Sequence, residues 1–152
     1  MFDFLQSTWD TFLCPMLQRP KKLQMAALCH RGQGDDKEYL IVTSRGSARW
    51  IIPKGWPIRG LKSSDTALRE AWEEAGVKNS VATPDPIGSY TYQKKRTNGF
   101  EVPVETLVYS VEVNDLSEDF PEAQERQRKW VDADTAAELV GETELKTIFR
   151  DQ

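Results

Sequence analysis

Residues 53–77 constrain the fold of this chain more than any other stretch: P-K-G-W-P-I-R-G-L-K-S-S-D-T-A-L-R-E-A-W-E-E-A-G-V. Its first part is dense in proline and glycine and reads as a loop. The rest has helical periodicity, with Leu68, Ala71, Trp72 and Ala75 at i, i+3, i+4 and i+7 as the expected buried stripe. Ser63, Ser64 or Asp65 can cap the start, since each side chain offers an acceptor to free backbone N–H groups. Gly76 suits the left-handed position that ends a helix. Three carboxylates, Glu70, Glu73 and Glu74, share the face away from that stripe. Side chains at such spacings lie about 5–6 Å apart at Cβ. Arg69 and Glu73 form an opposite-sign i,i+4 pair, which leaves two carboxylates without a cation. Two readings follow: a solvated acidic face, the ordinary fate of a charge run, or a site for a hard divalent cation, which takes one or two carboxylates plus water and phosphate oxygens.

The loop and helix together resemble the Nudix box. Gly55 is followed, at the box spacing, by Arg69-Glu70-Ala71-Trp72-Glu73-Glu74-Ala75-Gly76-Val77. One position departs: the early glutamate of the pattern falls on Leu61, which offers no ligand or hydrogen-bond acceptor. Asp65 or a loop acid is a candidate replacement. The resemblance implies an α/β fold, with a mixed β-sheet sandwiched between helices and the box at its edge. It implies hydrolysis of a diphosphate linkage with Mg²⁺, or Mn²⁺, as cofactor. Glu73 and Glu74 would be metal ligands, and Glu70 a further ligand or the group that orients and deprotonates the attacking water. Arg69 would hold a carboxylate in place, and the Gly55 backbone would approach the metal.

The remaining sequence is consistent with such a domain. At 152 residues the chain fits one domain with a real core. We read residues 1–20 as an extension, rich in apolar side chains and packed on the domain, and residues 21–152 as the domain itself. Strands are predicted at 23–29, 38–44, 50–52, 87–95, 102–113 and 128–132, with a hairpin turn at Thr97-Asn98-Gly99. Two helices are predicted near the C-terminus, the first capped by Asp132 or Asp134. A net charge of −4 argues against nucleic acid as the main partner. No apolar run approaches the ~18 residues a membrane span needs. Two cysteines, Cys14 and Cys29, make no metal motif and suit a reducing cytoplasm.

Positive charge nevertheless gathers near the box. Arg45, Lys54, Lys94, Lys95, Arg96, Arg126 and Arg128 are the candidate substrate-binding cations, because guanidinium forks match phosphate oxygens. Three stretches resemble the diphosphoinositol polyphosphate phosphohydrolase branch of the Nudix family. They are Ser44-Arg45 before Trp50-Ile51-Ile52-Pro53, Tyr90-x-Tyr92 before Lys94-Lys95-Arg96, and Phe120-Pro121-Glu122 before Arg126-x-Arg128-x-Trp130. That branch handles highly phosphorylated inositols and dinucleoside polyphosphates, so the expected partner is a small polyphosphorylated substrate. Glu122 is the candidate for an extra carboxylate near the metals, with Glu118 and Asp119 as rivals. Two alternatives stand beside the hydrolase: a ligand-binding Nudix module without catalysis, motivated by Leu61, and an RNA 5′-end pyrophosphohydrolase, motivated by the basic stretches.

Overall fold

The computed structural model describes residues 22–152; the expected extension at residues 1–20 lies outside them. Two strands organise the domain. β1 (Lys22–Arg31) and β2 (Glu38–Thr43) each contain an unbroken apolar run, at 25–29 and 39–42. Such runs suit strands buried on both faces, and alternation sends their side chains to opposite sides. Ala26, Leu28, Tyr39 and Ile41 join one core cluster, whereas Met25, Ala27, Cys29, Leu40 and Val42 join another.

The sheet is mixed. β3 (Trp50–Ile51) pairs with β2, and β4 (Lys54–Gly55) pairs antiparallel with β1. β7 (Gly88–Lys95) and β8 (Glu101–Glu112) form the expected hairpin. β8 runs parallel to β1, in register from Lys22↔Val104 to His30↔Glu112. β10 (Arg128–Val131) closes the other edge on β2. Short pairs the sequence reading did not anticipate complete the set. β5 (Val77–Lys78) pairs with β9 (Asp115–Leu116), and β6 (Val81–Ala82) extends the β8 edge.

Helices cover both faces. α1 (Ser63–Ala75) packs on one side, and α2 (Ala133–Leu139) and α3 (Thr143–Arg150) on the other. Asp132 caps α2 by accepting from Thr135 N. The helix carrying the box differs from expectation in two ways. Its N-cap is Lys62, without a side-chain cap, so Ser63, Ser64 and Asp65 lie inside the first turn. Asp65 there still meets the positive end of the helix dipole favourably. The buried stripe is also smaller in side-chain size: Ala67, Ala71 and Ala75 are fully buried, while Leu68 and Trp72 flank it half-buried. Alanines let the helix axis come close to β1. Glu74, at i+7 from Ala67 and i+3 from Ala71, shares that face and is 6% exposed instead of lying on the outer one.

α1 ends as the sequence predicts. Gly76 has φ 75°, and its N–H bonds to Ala71 O and Trp72 O. A Cβ at Gly76 would strike Ser117 O, so the glycine serves both the left-handed turn and the packing of the following loop.

Candidate active site

The site forms where α1, the β3–β4 loop and the loop before β10 meet. Pairing of Met25 with Gly55 pins the loop to the central strand. Gly55 is in turn pressed by the Glu70 carboxyl, so that any Cβ added at Gly55 would collide with it. From the other side, Glu122 N donates to Glu73 O at 3.0 Å, tying the 117–127 loop to the helix. A cavity of about 980 Å³ results, lined by Gly55, Glu70, Glu73, Glu74 and Glu122 together with Arg45, Arg49, Lys54, Lys94 and Lys95.

Arg126 organises the carboxylates. Its Nη2 donates to Glu74 Oε1 and to Glu122 Oε1, each at 3.1 Å, and its Nε donates to Glu122 Oε1 at 3.3 Å. Nη1 donates to Thr43 O at 2.8 Å. Glu74 Oε2 accepts from the Lys54 backbone N–H at 3.1 Å. Arg45 Nε reaches Glu122 Oε1 at 3.2 Å from the open side. The side chains of Arg126 and Glu74 are 6% and 8% exposed, so these are desolvated charges.

Burial pushes the Glu70 carboxyl up to about 7, helped by the like charges of Glu74, Glu73 and Glu122. Burial also raises Glu74 to about 7, against the opposing pull of Arg126 and the Lys54 backbone. The Lys54 ammonium is lowered to about 8, again chiefly by burial. Its Nζ lies 5.0 Å from the Tyr92 ring centroid.

The structure brings together most of the expected residues and relocates others. Glu122 reaches the site, whereas Glu118 pairs with Arg128 at 3.0 Å and Asp119 does not line the cavity. Arg126 lines the cavity but faces protein acceptors, so it is a holder of carboxylates instead of a phosphate contact. Arg69, expected in that holding role, lies outside the cavity and makes no ion pair among the described residues; it borders a shallow groove with Leu61, Asp65, Leu68 and Trp72. Leu61 and Asp65 therefore sit away from the carboxylates, and Asp65 does not replace the missing glutamate there. Arg128 is likewise remote: its Nη1 donates to Ala75 O at 2.6 Å and Ser117 O at 2.7 Å, capping α1. Arg96 belongs to the β7–β8 turn, outside the cavity. The lining residues Ser44, Ser47, Trp56 and Tyr92 had not been assigned to the site; Trp56, beside Gly55 in the box loop, offered the clearest signal.

Five carboxylates line the cavity: Glu70, Glu73, Glu74, Glu101 and Glu122. The four on α1 and the 117–127 loop, all but Glu101, are a hard-oxygen donor set of the kind a divalent cation takes. The absence of a side chain at Gly55, which leaves room for the Glu70 carboxyl against the backbone, fits the same use. As placed, no group of three acidic, His or Cys side chains among the described residues encloses a metal position. Glu74 and Glu122 are turned toward Arg126, and cation binding would require them to share their oxygens.

A family model, the NUDIX domain, matches residues 22–152. The chain belongs to the Nudix family. It is a Nudix-type pyrophosphohydrolase, and its mixed sheet, with three α-helices among the described residues, is the Nudix fold. Among curated relatives, human diphosphoinositol polyphosphate phosphohydrolase 3-beta is 30% identical over 121 residues, covering 78% of this chain and 69% of the relative. The Bos taurus counterpart is 29% identical over the same length and shares of each chain. Among solved structures, C. elegans Ap4A hydrolase superposes with a TM-score of 0.61 at 18% identity, over 86% of this chain and 94% of that one. The Nudix domain of Shewanella oneidensis NrtR, complexed with ADP ribose, gives a TM-score of 0.61 at 14% identity, over 96% of each chain. In the Nudix domain described here, no helix among the described residues is long and apolar enough to cross a membrane.

Proposed function

We propose that this Nudix domain hydrolyses a diphosphate linkage in a small, highly phosphorylated substrate, of the diphosphoinositol polyphosphate or dinucleoside polyphosphate type, using Mg²⁺. The observation that carries this reading is one cavity holding both an acidic wall (Glu70, Glu73, Glu74, Glu122) and a cationic wall (Arg45, Arg49, Lys54, Lys94, Lys95). The named relatives handle substrates of the first kind, and the C. elegans structural neighbour is an Ap4A hydrolase.

Glu73, Glu74, Glu70 and Glu122 would hold the cation. When bound, it supplies charge neutralisation at phosphate oxygens and acidification of water. Arg45, Lys54, Lys94 and Lys95 would bind and orient the phosphate chain, which suits a reaction governed by positioning and charge stabilisation. Where Glu70 does not itself hold the cation, its carboxylate would orient the attacking water and accept its proton. Arg126 would keep Glu74 and Glu122 aimed at the cavity.

The test is Mg²⁺- and Mn²⁺-dependent phosphate release from a panel of inositol pyrophosphates, diadenosine polyphosphates and triphosphorylated RNA. Glu73→Gln and Glu74→Gln should each lower kcat by a factor on the order of 10² or more. Undiminished turnover in both variants would remove the assignment.

A further inference from the structure

We infer that Glu142 is a positioning residue for the catalytic cavity: its buried carboxylate holds the Lys54 ammonium in place on the phosphate-binding wall. This role rests on the proposed hydrolase reading, which gives Lys54 to the phosphate chain, and adds a residue that touches no substrate itself. Three observations support it.

The Glu142 carboxylate is not used where the chain puts it. Glu142 is the N-cap of α3, where an acidic side chain ordinarily accepts from a free backbone N–H of the first turn. Here it makes no such bond. Its Oε2 is nevertheless buried and has no hydrogen-bond partner among the described residues. Taking a carboxylate oxygen out of water without a partner is costly. A positive charge nearby offsets that cost.

Position is the second point. Glu142 does not line the cavity. Trp50 bridges Val140 in parallel, so the segments from Trp50 to Lys54 and from Val140 to Glu142 leave that bridge in the same direction. Val140 and Leu145, on either side of Glu142 in sequence, share a core cluster with Ile52 and Tyr90, and Tyr92 packs against it. Burial raises the hydroxyls of Tyr90 and Tyr92, and the charge of Glu142 is the next cause for both. The carboxylate therefore faces the two tyrosines that stand beside Lys54.

Lys54 supplies the third. Its backbone is fixed twice, by pairing with Ala26 and by its N–H, which donates to Glu74 Oε2 at 3.1 Å. A lysine stem is flexible and leaves the ammonium free to swing. The Lys54 ammonium instead rests 5.0 Å from the Tyr92 ring centroid, and the Tyr92 hydroxyl donates to Gln24 Oε1 at 2.5 Å. Glu74 and Glu142 pull on its charge, while Lys94 and Arg126 push on it. Both Glu74 oxygens are already committed, to Arg126 and to the Lys54 N–H. Glu142 Oε2 is uncommitted, and an attraction in surroundings poor in water carries farther than one at the surface.

The experiment is a double-mutant cycle in the full chain: wild type, Glu142→Gln, Lys54→Met and the double variant, with Glu142→Asp as the variant that keeps the charge. The readouts are calorimetric binding of inorganic pyrophosphate, steady-state kinetics with an inositol pyrophosphate and with diadenosine tetraphosphate, and thermal unfolding in EDTA. Glu142→Gln should weaken pyrophosphate binding and raise KM about tenfold, with kcat within about threefold. Glu142→Asp should recover most of the loss. In the Lys54→Met background, Glu142→Gln should change binding and KM by less than about twofold. There it should also raise Tm, because it removes a buried charge that has lost its counterpart. Equal effects of Glu142→Gln with and without Lys54, on pyrophosphate binding or on Tm, would overturn the role. Failure of wild type to turn over any substrate would defeat the hydrolase reading instead, and the cycle in Tm would still decide whether Glu142 holds Lys54.

Discussion

Replacing Arg126 by Gln removes the cation between two poorly solvated carboxylates. Arg126 donates to Glu74 and Glu122 at 3.1 Å each, and the side chains of those partners are 8% and 15% exposed. Removing one member of a buried ionic group costs about 3–5 kcal/mol, because the remaining charge is left desolvated. Glu122 also keeps Arg45 at 3.2 Å, which places the expected cost toward the lower end. At about 3 kcal/mol, that corresponds for a chain of this size to a fall of roughly 6–12 °C in Tm. The loss must depend on pH. Glu70 and Glu74 bind protons more tightly folded, at about 7, than at the ordinary value of 4.5. Their favourable contribution is fully present below about 4.5 and disappears as pH rises through about 7. Metal-free wild type is therefore expected to be less stable at pH 8 than at pH 5.5, and Arg126→Gln to show a steeper decline. Thermal unfolding followed by circular dichroism in EDTA, at both pH values, measures this. Millimolar Mn²⁺ or Mg²⁺ should restore more of the variant's Tm than the wild type's at pH 8, since a divalent ion supplies the missing positive charge. A drop below about 3 °C, or the same drop at both pH values, would refute the claim that Arg126 neutralises buried carboxylates.

Gly55→Ala should fold, because the colliding atoms belong to the flexible end of Glu70 and not to backbone. Displacing that carboxyl is expected to lower kcat about 10²-fold with Tm shifted by less than about 3 °C; full activity would mean that Glu70 is not needed where it lies. Leu61→Glu, which restores the family's glutamate, is expected to leave kcat/KM within about twofold, since Leu61 lines a groove apart from the carboxylate cavity. A gain beyond that in a steady-state assay would show that the loop can deliver a further carboxylate.

What the sequence made legible was local or periodic. The box helix, its Gly76 stop, the β7–β8 hairpin and the Asp132 cap each depend on residues a few positions apart. Glu122 stands out in Phe120-Pro121-Glu122, a stretch that resembles the diphosphoinositol polyphosphate phosphohydrolase branch, and it lines the cavity. Interactions across the fold were less accessible. Arg69 and Arg126 look equally able to hold a carboxylate in one dimension, and only the approach of the 117–127 loop to α1 decides for Arg126. Arg128 reads as a phosphate ligand until Ala75 O and Ser117 O are seen to occupy its fork. Trp72 fits a helical core period, yet small alanines on the adjoining positions bring the helix close to β1 and shift Trp72 to the flank. Glu74 is seven residues, close to two whole turns, from buried Ala67 and so shares its face. The centre of the buried row, which the sequence reading set toward Leu68 and Trp72, decides both outcomes.

The parallel register of β1 with β8 also bears on how the chain is made. Its first residue pair, Lys22 with Val104, joins residues 82 positions apart in the chain. Closing that span is entropically slow, and no local hairpin can substitute for it. During synthesis, the apolar edge of Met25–Cys29 stays without its neighbour until Glu112 has left the ribosome. Nascent chains that stall short of that point carry an open strand, the form most prone to pairing with other chains.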